Sequence, residues 1–563
     1  MRIPGTLWRH MAIEVGRVVL ITAAVLLCVV SFSAVVKFLA EGKLSPLDAL
    51  RFMGVIAVPM LHYTLPFASG FGATLAYHRM VSDGEILAAH AGGIGHRAVL
   101  MPALLAAIGL GGGLAFLNQQ VIPKMLESSH RMITQDIAKI LSASIESSQS
   151  VNFDNFLLHA GSVKRFGADT SSGASERMML TDVVAVEFDR KGVIRSEATA
   201  RRAWLWVFPP GGPDPMPGVS PGVGYVRMRL EEGVGFSGGQ LVRFTELSPD
   251  PWLLPDSFRT DPKFFSNSEM DTLRERPELM HGVEQRRVRL AQRLAERQTM
   301  GEIKTSLLNT QRVRLVDGTG QTLILRASDV RLTPERRWAV LPTTPGRPIE
   351  VDRFMPDGSL ARYGARSAEI VTQTIDLEGM SELTARLVLS EVTTISGTAT
   401  GSSVGGTVGG DRAQLSLGPL YSSSRPLDDL IGRSCAELLE ASRAYTNRDR
   451  PDQFIEEAAS DLAKSIAKLE REILSKVHER WAMSAACLVM ALAGAATAMR
   501  LGNALPLAVY LWSFIPALAA VITITSGQQL THDLGAPGLF VLWGGVGLLV
   551  VYTLVSYFHV ARH

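Results

Sequence analysis

Apolar residues gather in two groups of long runs, one at each end of the chain, with a polar stretch between. Val18 to Val36 (VVLITAAVLLCVVSFSAVV) is uncharged; Met53 to Tyr77 holds no Asp, Glu, Lys or Arg and a single histidine, His62; Ala98 to Ile122 holds none of these. The pattern resumes with Trp481 to Met499, Ala504 to Ser526 and Ala536 to Phe558. Each run reaches the roughly 20 residues that a helix needs to cross about 30 Å of hydrocarbon. The pattern therefore predicts six transmembrane helices, three before the polar stretch and three after. A cleavable signal peptide is a poor reading of the first run, because such a core is about 7–15 residues long and this run is followed by Lys37.

Lys and Arg near the span ends set the expected orientation. Arg2, Arg9 and Arg17 precede span 1, Arg79 and Arg97 lie between spans 2 and 3, Arg500 lies between spans 4 and 5, and Arg562 follows span 6. On the other side, Lys37 and Lys43 are offset by Glu41 and Asp48, and Gly527 to Gly535 has no Lys or Arg. Both termini are expected in the cytoplasm and the polar middle outside it. His62 is the ionisable group most out of place within a span; it reads either as a proton relay or as a histidine bonded to a neighbouring helix.

The middle begins with helical spacing. Ile133, Ile137, Leu141 and Ile145 form one stripe that extends span 3 beyond Pro123. Period-two alternation follows in DVVAVEFDRKGVIRSEATARRAWLW (182–206), VRLVDGTGQTLILRASDVRL (313–332) and IEVDRFMPDGSLARYGARSAEI (349–370). Each is a strand, an Asp/Gly turn, a second strand and a small-residue step (TARRA, RASDV, GARSA), which predicts antiparallel hairpins. Residues 209–224 and 396–410 are rich in Pro, Gly, Ser and Thr and read as loops. Residues 270–308, rich in Arg and Glu, read as a solvated helical insertion that the core could lose. From Asp452 to Arg480 an amphipathic helix leads back to the membrane with Ile455, Leu462, Ile466, Leu469 and Ile473 on one face, and its spacing allows a Glu472–Lys476 pair. The expected divisions are 1–123, 124–478 and 479–563.

Composition changes this picture little. The net charge of +2 over 563 residues and the dispersed basic residues give no nucleic-acid stripe. Of three cysteines, Cys28 and Cys487 lie in spans, so Cys435 has no disulfide partner in the middle domain. The sequence contains no phosphate-binding G-x-x-x-x-G-K-[ST] loop and no H-E-x-x-H or paired C-x-x-C. No catalytic residue, metal ligand or cofactor is expected. A membrane enzyme is the weakest reading, and a membrane-anchored domain acting as envelope sensor or scaffold is the alternative to a transporter subunit.

LPFASGFGATLAYHRMVSDGEILAAHAGG (65–93) after span 2 and VHERWAMS (477–484) entering span 4, set in a three-plus-three arrangement, resemble the LptF/LptG permeases of lipopolysaccharide transport. The resemblance covers residues 1 to about 160 and 450 to 563. It implies an α-helical polytopic membrane protein with a large inserted periplasmic β-jellyroll-like domain, in which all three hairpin units would be parts of an open jellyroll whose apolar interior receives acyl chains. It also implies a bacterial inner-membrane permease of an ABC transporter. The implied partners are an LptB-type ATPase dimer, a second permease of the family, an LptC-like protein and lipopolysaccharide or a related glycolipid, with ATP used by the ATPase alone. Spans 1 and 5 would form lateral gates, and Pro506 and Pro516 give span 5 places to bend.

The loop between spans 2 and 3 has its own physical reading. Ser82 and Glu85 have the S-x-x-E spacing of a capping box, which predicts a short helix from about Asp83 to Ala91, ended by Gly92, Gly93 and Gly95. That helix would present Ile86 and Leu87 with Glu85 beside them. In the family this position is the coupling helix seated in the ATPase, so Ser82, Asp83, Gly84, Glu85, Ile86 and Leu87 are the candidate coupling residues. Lys37 and Lys43, at the outer end of span 1, are candidates for contact with glycolipid phosphates or for simple interfacial snorkelling.

Overall fold

The computed structural model describes the chain except for residues 1–4, 41–45, 127, 129–150, 154–155, 170–172, 189–193, 209–224, 238–239, 249–251, 254–260, 318–319, 334–336, 357–358, 378–379, 399–411, 422–425, 447–451, 503 and 563. The expected stripe at 133–145, the loop at 209–224 and most of that at 396–410 fall outside the described residues.

Among the described residues, six helices are long and apolar enough to cross a membrane. They are α1 (Gly5–Ala40), α2 (Pro46–Ser82), α4 (His96–Phe116, continued by a π-turn at Leu117–Val121), α9 (Gln453–Arg500), α10 (Pro506–Leu534) and α11 (Gly538–Arg562); the short α3 (Glu85–Ala91) joins α2 to α4. Leu20, Val29, Leu548 and Phe540 stand exposed on their outer faces. Side chains of that size in such number suit lipid and not water. Between helices, small residues permit close approach. A methyl group on Gly494 would lie 2.3 Å from the Gly70 carbonyl oxygen, so α2 and α9 touch backbone to backbone there. Pro506 opens α10 and Pro516 lies inside it.

The middle of the chain contains two sheets in two compact units, residues 1–212, 222–275 and 467–563 forming one and residues 213–221 and 276–466 the other. The first sheet comprises β1 (Val151–Phe153), β2 (Phe156–His159), β3 (Ser162–Asp169), β4 (Ala174–Phe188), β5 (Ile194–Phe208), β6 (Tyr225–Ser237), β7 (Gln240–Leu247) and β8 (Trp252–Leu253). Its order is β1-β2-β4-β5-β6-β7, with β3 on β4 and β8 on β6, and among the described residues it does not close.

The second sheet comprises β9 (Arg312–Asp317), β10 (Thr322–Arg326), β11 (Asp329–Leu332), β12 (Trp338–Leu341), β13 (Ile349–Phe354), β14 (Leu360–Leu377), β15 (Met380–Thr398) and β16 (Arg412–Tyr421). Here β14-β13-β10-β9-β16-β15 returns to β14, a closed ring of six strands. Leu315, Leu325, Val351, Ile370, Leu387 and Leu389 fill it, as side chains fill any barrel this narrow. All three predicted hairpins exist, as β4–β5, β9–β10 and β13–β14. Two of them belong to this packed ring, so the expectation that all three line an open apolar trough is corrected; only β4–β5 belongs to the sheet that stays open.

The small-residue steps mark corners. In β5 the buried positions shift from Ala200 to Ala203, and in β14 from Ala365 to Ala368. These buried neighbours are three positions apart, where an even strand would place them two apart. The partner strand makes the same step with the register kept, Leu180 to Val183 beside Ala203 to Ala200. The partners match it: positive φ at Asp182, Glu232 and Glu391 places an irregularity on β4, β6 and β15 beside these steps. In the third copy Ala327 and Val330 are buried where β10 passes into β11.

The segment read as a dispensable solvated insertion is corrected as well. Besides α5 (Asn267–Glu275), it forms α6 (His281–Thr310), whose Met300, Ile303 and Leu307 enter the core of the closed ring. The polar residues of α6 outnumber its apolar ones, which conceals that the apolar ones share a face. After α7 (Pro426–Ile431) and α8 (Cys435–Thr446), the return helix is α9. Ile455, Leu462, Leu469 and Ile473 are buried along it. Its anticipated Glu472–Lys476 pair is replaced: Lys476 bonds Glu479 at 2.8 Å, while Glu472 meets His532 at 2.9 Å and Lys468 at 3.7 Å.

Candidate functional site

The loop between spans 2 and 3 is a fixed shelf. Ser82 remains the last residue of α2, and its hydroxyl donates to the His78 carbonyl at 2.9 Å. Gly84, at φ 76°, makes the left-handed turn and caps α3 without a side-chain bond. The capping box expected between Ser82 and Glu85 is thus absent, because the preceding helix retains the serine. Where the same S-x-x-E spacing follows irregular chain, the box forms: the Ser266 amide donates to Glu269 at 2.7 Å, and the Ser434 amide to Glu437 at 2.8 Å. Bonding to Ser434 holds the Glu437 carboxyl below the usual carboxylate range. At the other end of α3, Gly93 at φ 81° turns the chain, with its amide on His90 and the Ile94 amide on Ala89. That double bond pattern is a Schellman ending.

The two apolar residues expected side by side point opposite ways. Ile86 is 6% exposed and packs with Met11, Val15, Tyr77, Met80 and Val99, whereas Leu87 is 73% exposed. Tyr77 donates to the Val99 carbonyl at 2.8 Å and ties α2 to α4. Arg79 reaches Glu14 at 2.9 Å and Asp83 at 3.6 Å, and Glu85 lies 3.7 Å from His10. Glu85 thus faces the start of α1 and Asp83 faces Arg79, and the outward feature is Leu87. His90 stacks edge-on against His96 with ring centres 4.2 Å apart; burial and that neighbour lower its pKa below the ordinary histidine value.

A second set of polar groups joins three spans. His62 Nδ1 bonds the side-chain Oδ1 of Asn118 at 2.8 Å, and its Nε2 lies 3.7 Å from Glu479. Asn118 donates onward to the Arg480 carbonyl and to Ser484, each at 3.3 Å. It stands in the π-turn, whose one wide turn re-aims the side chain. The Arg480 guanidinium donates to Asn267 Oδ1 at 3.0 Å and to the carbonyls of Phe265 at 2.8 Å and Lys263 at 3.2 Å. His62, Asn118, Glu479 and Arg480 are all buried.

His62 is therefore held by neighbouring helices, one of the two readings open from the sequence. Asn118 and Glu479 went unnoticed there. The signal available was the pair Glu479–Arg480, two charges directly at the mouth of span 4. Lys37 belongs to α1, but its side chain and the whole of Lys43 fall outside the described residues, so no substrate contact is assigned to either.

Six apolar helices, a short fixed helix between the second and third, and an open antiparallel sheet starting in the first half set the frame for comparison. Residues 11–206 match the family model described as lipopolysaccharide export system permease LptF/LptG. Over that region the chain is similar to the LptF/LptG permeases. No curated protein matches it. The match takes in α1 to α4 and the first sheet through the Trp204–Trp206 step of β5. The LptF/LptG resemblance read from LPFASGFGATLAYHRMVSDGEILAAHAGG lies inside it, and the family match together with the six apolar helices supports a multi-pass membrane protein with an added β-region.

Proposed function

We propose that the chain is one permease subunit of an ABC-type exporter that lifts lipopolysaccharide or a related glycolipid from the bacterial inner membrane toward a periplasmic bridge. A separate cytoplasmic ATPase dimer, of the LptB type, supplies the work; a second LptF/LptG-family permease and an LptC-like protein complete the assembly. Both termini and α3 are cytoplasmic in this reading, and the two sheets are periplasmic, the first of them as the jellyroll-like element.

The observation that carries the proposal is Leu87, a large apolar side chain held outward on a helix that Ile86 anchors to α1, α2 and α4. A rigid knob of this kind can pass a push from a partner's groove to three helices at once. A lone exposed leucine on a flexible loop would not. The test is co-expression with the candidate ATPase, purification in mild detergent, and assay of the bound ATPase and glycolipid. Leu87→Arg is expected to abolish ATPase retention while the permease still folds. Retention of ATPase and coupled hydrolysis at parental levels in that variant would remove α3 from the role assigned to it. Charge reversal at Glu85 is expected to act more weakly, since Glu85 faces His10.

A further inference from the structure

The buried polar set joining α2, α4 and α9 fixes the hydrogens of its own members. Asn118 Nδ2 donates to the Arg480 carbonyl oxygen, which can only accept, and to the Ser484 hydroxyl, whose hydrogen is already given to that carbonyl. Asn118 Oδ1 is therefore the atom that meets His62, and His62 Nδ1 must carry the hydrogen between them. A neutral imidazole has one such hydrogen, so Nε2 is then bare.

That bare nitrogen faces the Glu479 carboxylate at 3.7 Å, where the glutamate side chain is 4% exposed. A lone pair and an anion repel at this distance, and burial removes the water that would screen them. One proton on Nε2 turns the contact into an ion pair. The carboxylate is otherwise occupied: Lys476 Nζ donates to Oε2 at 2.8 Å, and Gln528 of α10, with its amide turned so that the nitrogen faces Glu479, donates to Oε1 at 3.0 Å.

The neighbouring groups lead out in one direction. On α2, Tyr63 lies edge-on to the His62 ring with centres 4.6 Å apart. On α9, Arg480 turns away to Asn267 and the carbonyls of Lys263 and Phe265. One turn back from Lys476, toward the sheets, Glu472 meets His532 of α10 at 2.9 Å and Lys468 at 3.7 Å. Side-chain exposure rises along this line, to 21% at Lys476 and 62% at Lys468. In the other direction, among the described residues, the bonded set ends at Asn118 and Ser484, both buried.

We propose that His62 Nε2 and Glu479 form a proton-binding site, filled from and emptied to the periplasmic side, whose occupancy sets how closely α2 and α9 approach at their sheet-side ends. The site takes its sidedness from the transport reading above and adds a control to it. With the proton present, the ion pair draws the two ends together; without it, the facing lone pair and carboxylate push them apart. Deeper in the bundle, α2 and α9 touch backbone to backbone at Gly70 and Gly494, which gives the ends a pivot. Acid outside therefore favours the narrower mouth. The proton returns to the side it came from, so the site is a switch and not a path across the membrane.

The test reconstitutes the full chain with its transport partners in proteoliposomes, ATPase outward. The bath is held at about pH 7.5 and the lumen is set between about pH 5 and about pH 8, the range in which histidine changes charge. Glycolipid-stimulated ATP hydrolysis is expected to fall at least about threefold toward the acid end. His62→Gln, which keeps a donor for Asn118 but takes up no proton, is expected to give a flat profile. A slope that persists in His62→Gln, or that follows the bath and not the lumen, overturns the proposal. In parallel, spin labels at Leu50→Cys and Trp481→Cys, both exposed positions, report the spacing of α2 and α9 in detergent, with the exposed Cys28 replaced by serine. A spacing about 2 Å shorter in acid is expected, and an unchanged spacing in the parent overturns the proposal even if His62→Gln fails to fold. If the spacing responds to pH but glycolipid stimulates hydrolysis at no pH, the transport reading falls and the proton site remains. If hydrolysis is stimulated alike at every lumenal pH, the transport reading stands and the site is excluded.

Discussion

Ile86 and Leu87 are neighbours in sequence and face opposite ways, one packed against Met11 and Tyr77, the other 73% exposed. A seven-residue helix cannot stand alone in water, so the shape of α3 depends on the residue that is hidden.

Substitutions at these two positions should separate shape from contact. Ile86→Asp places a charge among apolar side chains and is expected to lower thermal stability by several degrees in detergent. Leu87→Asp is expected to leave the melting temperature within about 1 °C, because exposed substitutions usually change stability by under about 0.5 kcal/mol, while coupling to the ATPase is lost. Equal melting temperatures for the two variants would refute the division.

The His62–Asn118–Glu479 cluster should behave as a buried charged group. Removing Glu479 leaves Lys476 and His62 facing an uncompensated site, and breaking such a pair costs about 3–5 kcal/mol. Glu479→Ala should therefore melt well below the parent, and Glu479→Gln, which keeps a hydrogen-bonding carbonyl, should lie between them. A parental melting curve for Glu479→Ala would show that the cluster contributes nothing to stability.

The loop should loosen in acid. The folded-state pKa of His90 lies below its ordinary value of 6.5, so the folded loop binds fewer protons than the unfolded one. Its contribution is complete above about pH 6.5 and is lost as pH falls through the depressed value. The protection factors of residues 84–95, exchange corrected for its intrinsic pH dependence, should fall between pH 7 and pH 5, and His90→Gln should remove that fall. Protection in the variant that still falls in acid would assign the effect to another group.

The closed ring should depend on α6. Leu307 is fully buried in the ring's core, and Leu307→Ala is expected to cost about 2–5 kcal/mol. Leu308, the next residue, is 61% exposed, and Leu308→Ala should be nearly neutral. The contrast is read by limited proteolysis within residues 276–466.

Much was legible from local pattern. Spans need length and apolarity, and both are written in consecutive residues, so the six helices follow from composition alone. Hairpins need alternation and a turn, and DRKG, DGTG and PDGS stood between alternating runs. The phrase MVSDGEILAAHAGG was specific enough to carry the family, and it lies within the matched region.

What the chain could not show locally was which of two competing partners a group takes. Ser82 had the spacing of a cap, but α2 continued through it and claimed its hydroxyl, while Ser266 and Ser434 followed irregular chain and formed the box. Glu479 closes the amphipathic return helix in the sequence, and only the fold brings His62, far away in sequence, to it. The steps TARRA and GARSA recurred visibly, yet their meaning as corners needs the neighbouring strands, whose own irregularities lie at Asp182, Glu232 and Glu391. Sequence by itself determined which segments are helix, strand and membrane span, since those depend on neighbours within a few residues. Tertiary structure decided which polar groups pair, which sheet closes and which leucine faces outward, because each depends on what the rest of the chain brings to that place.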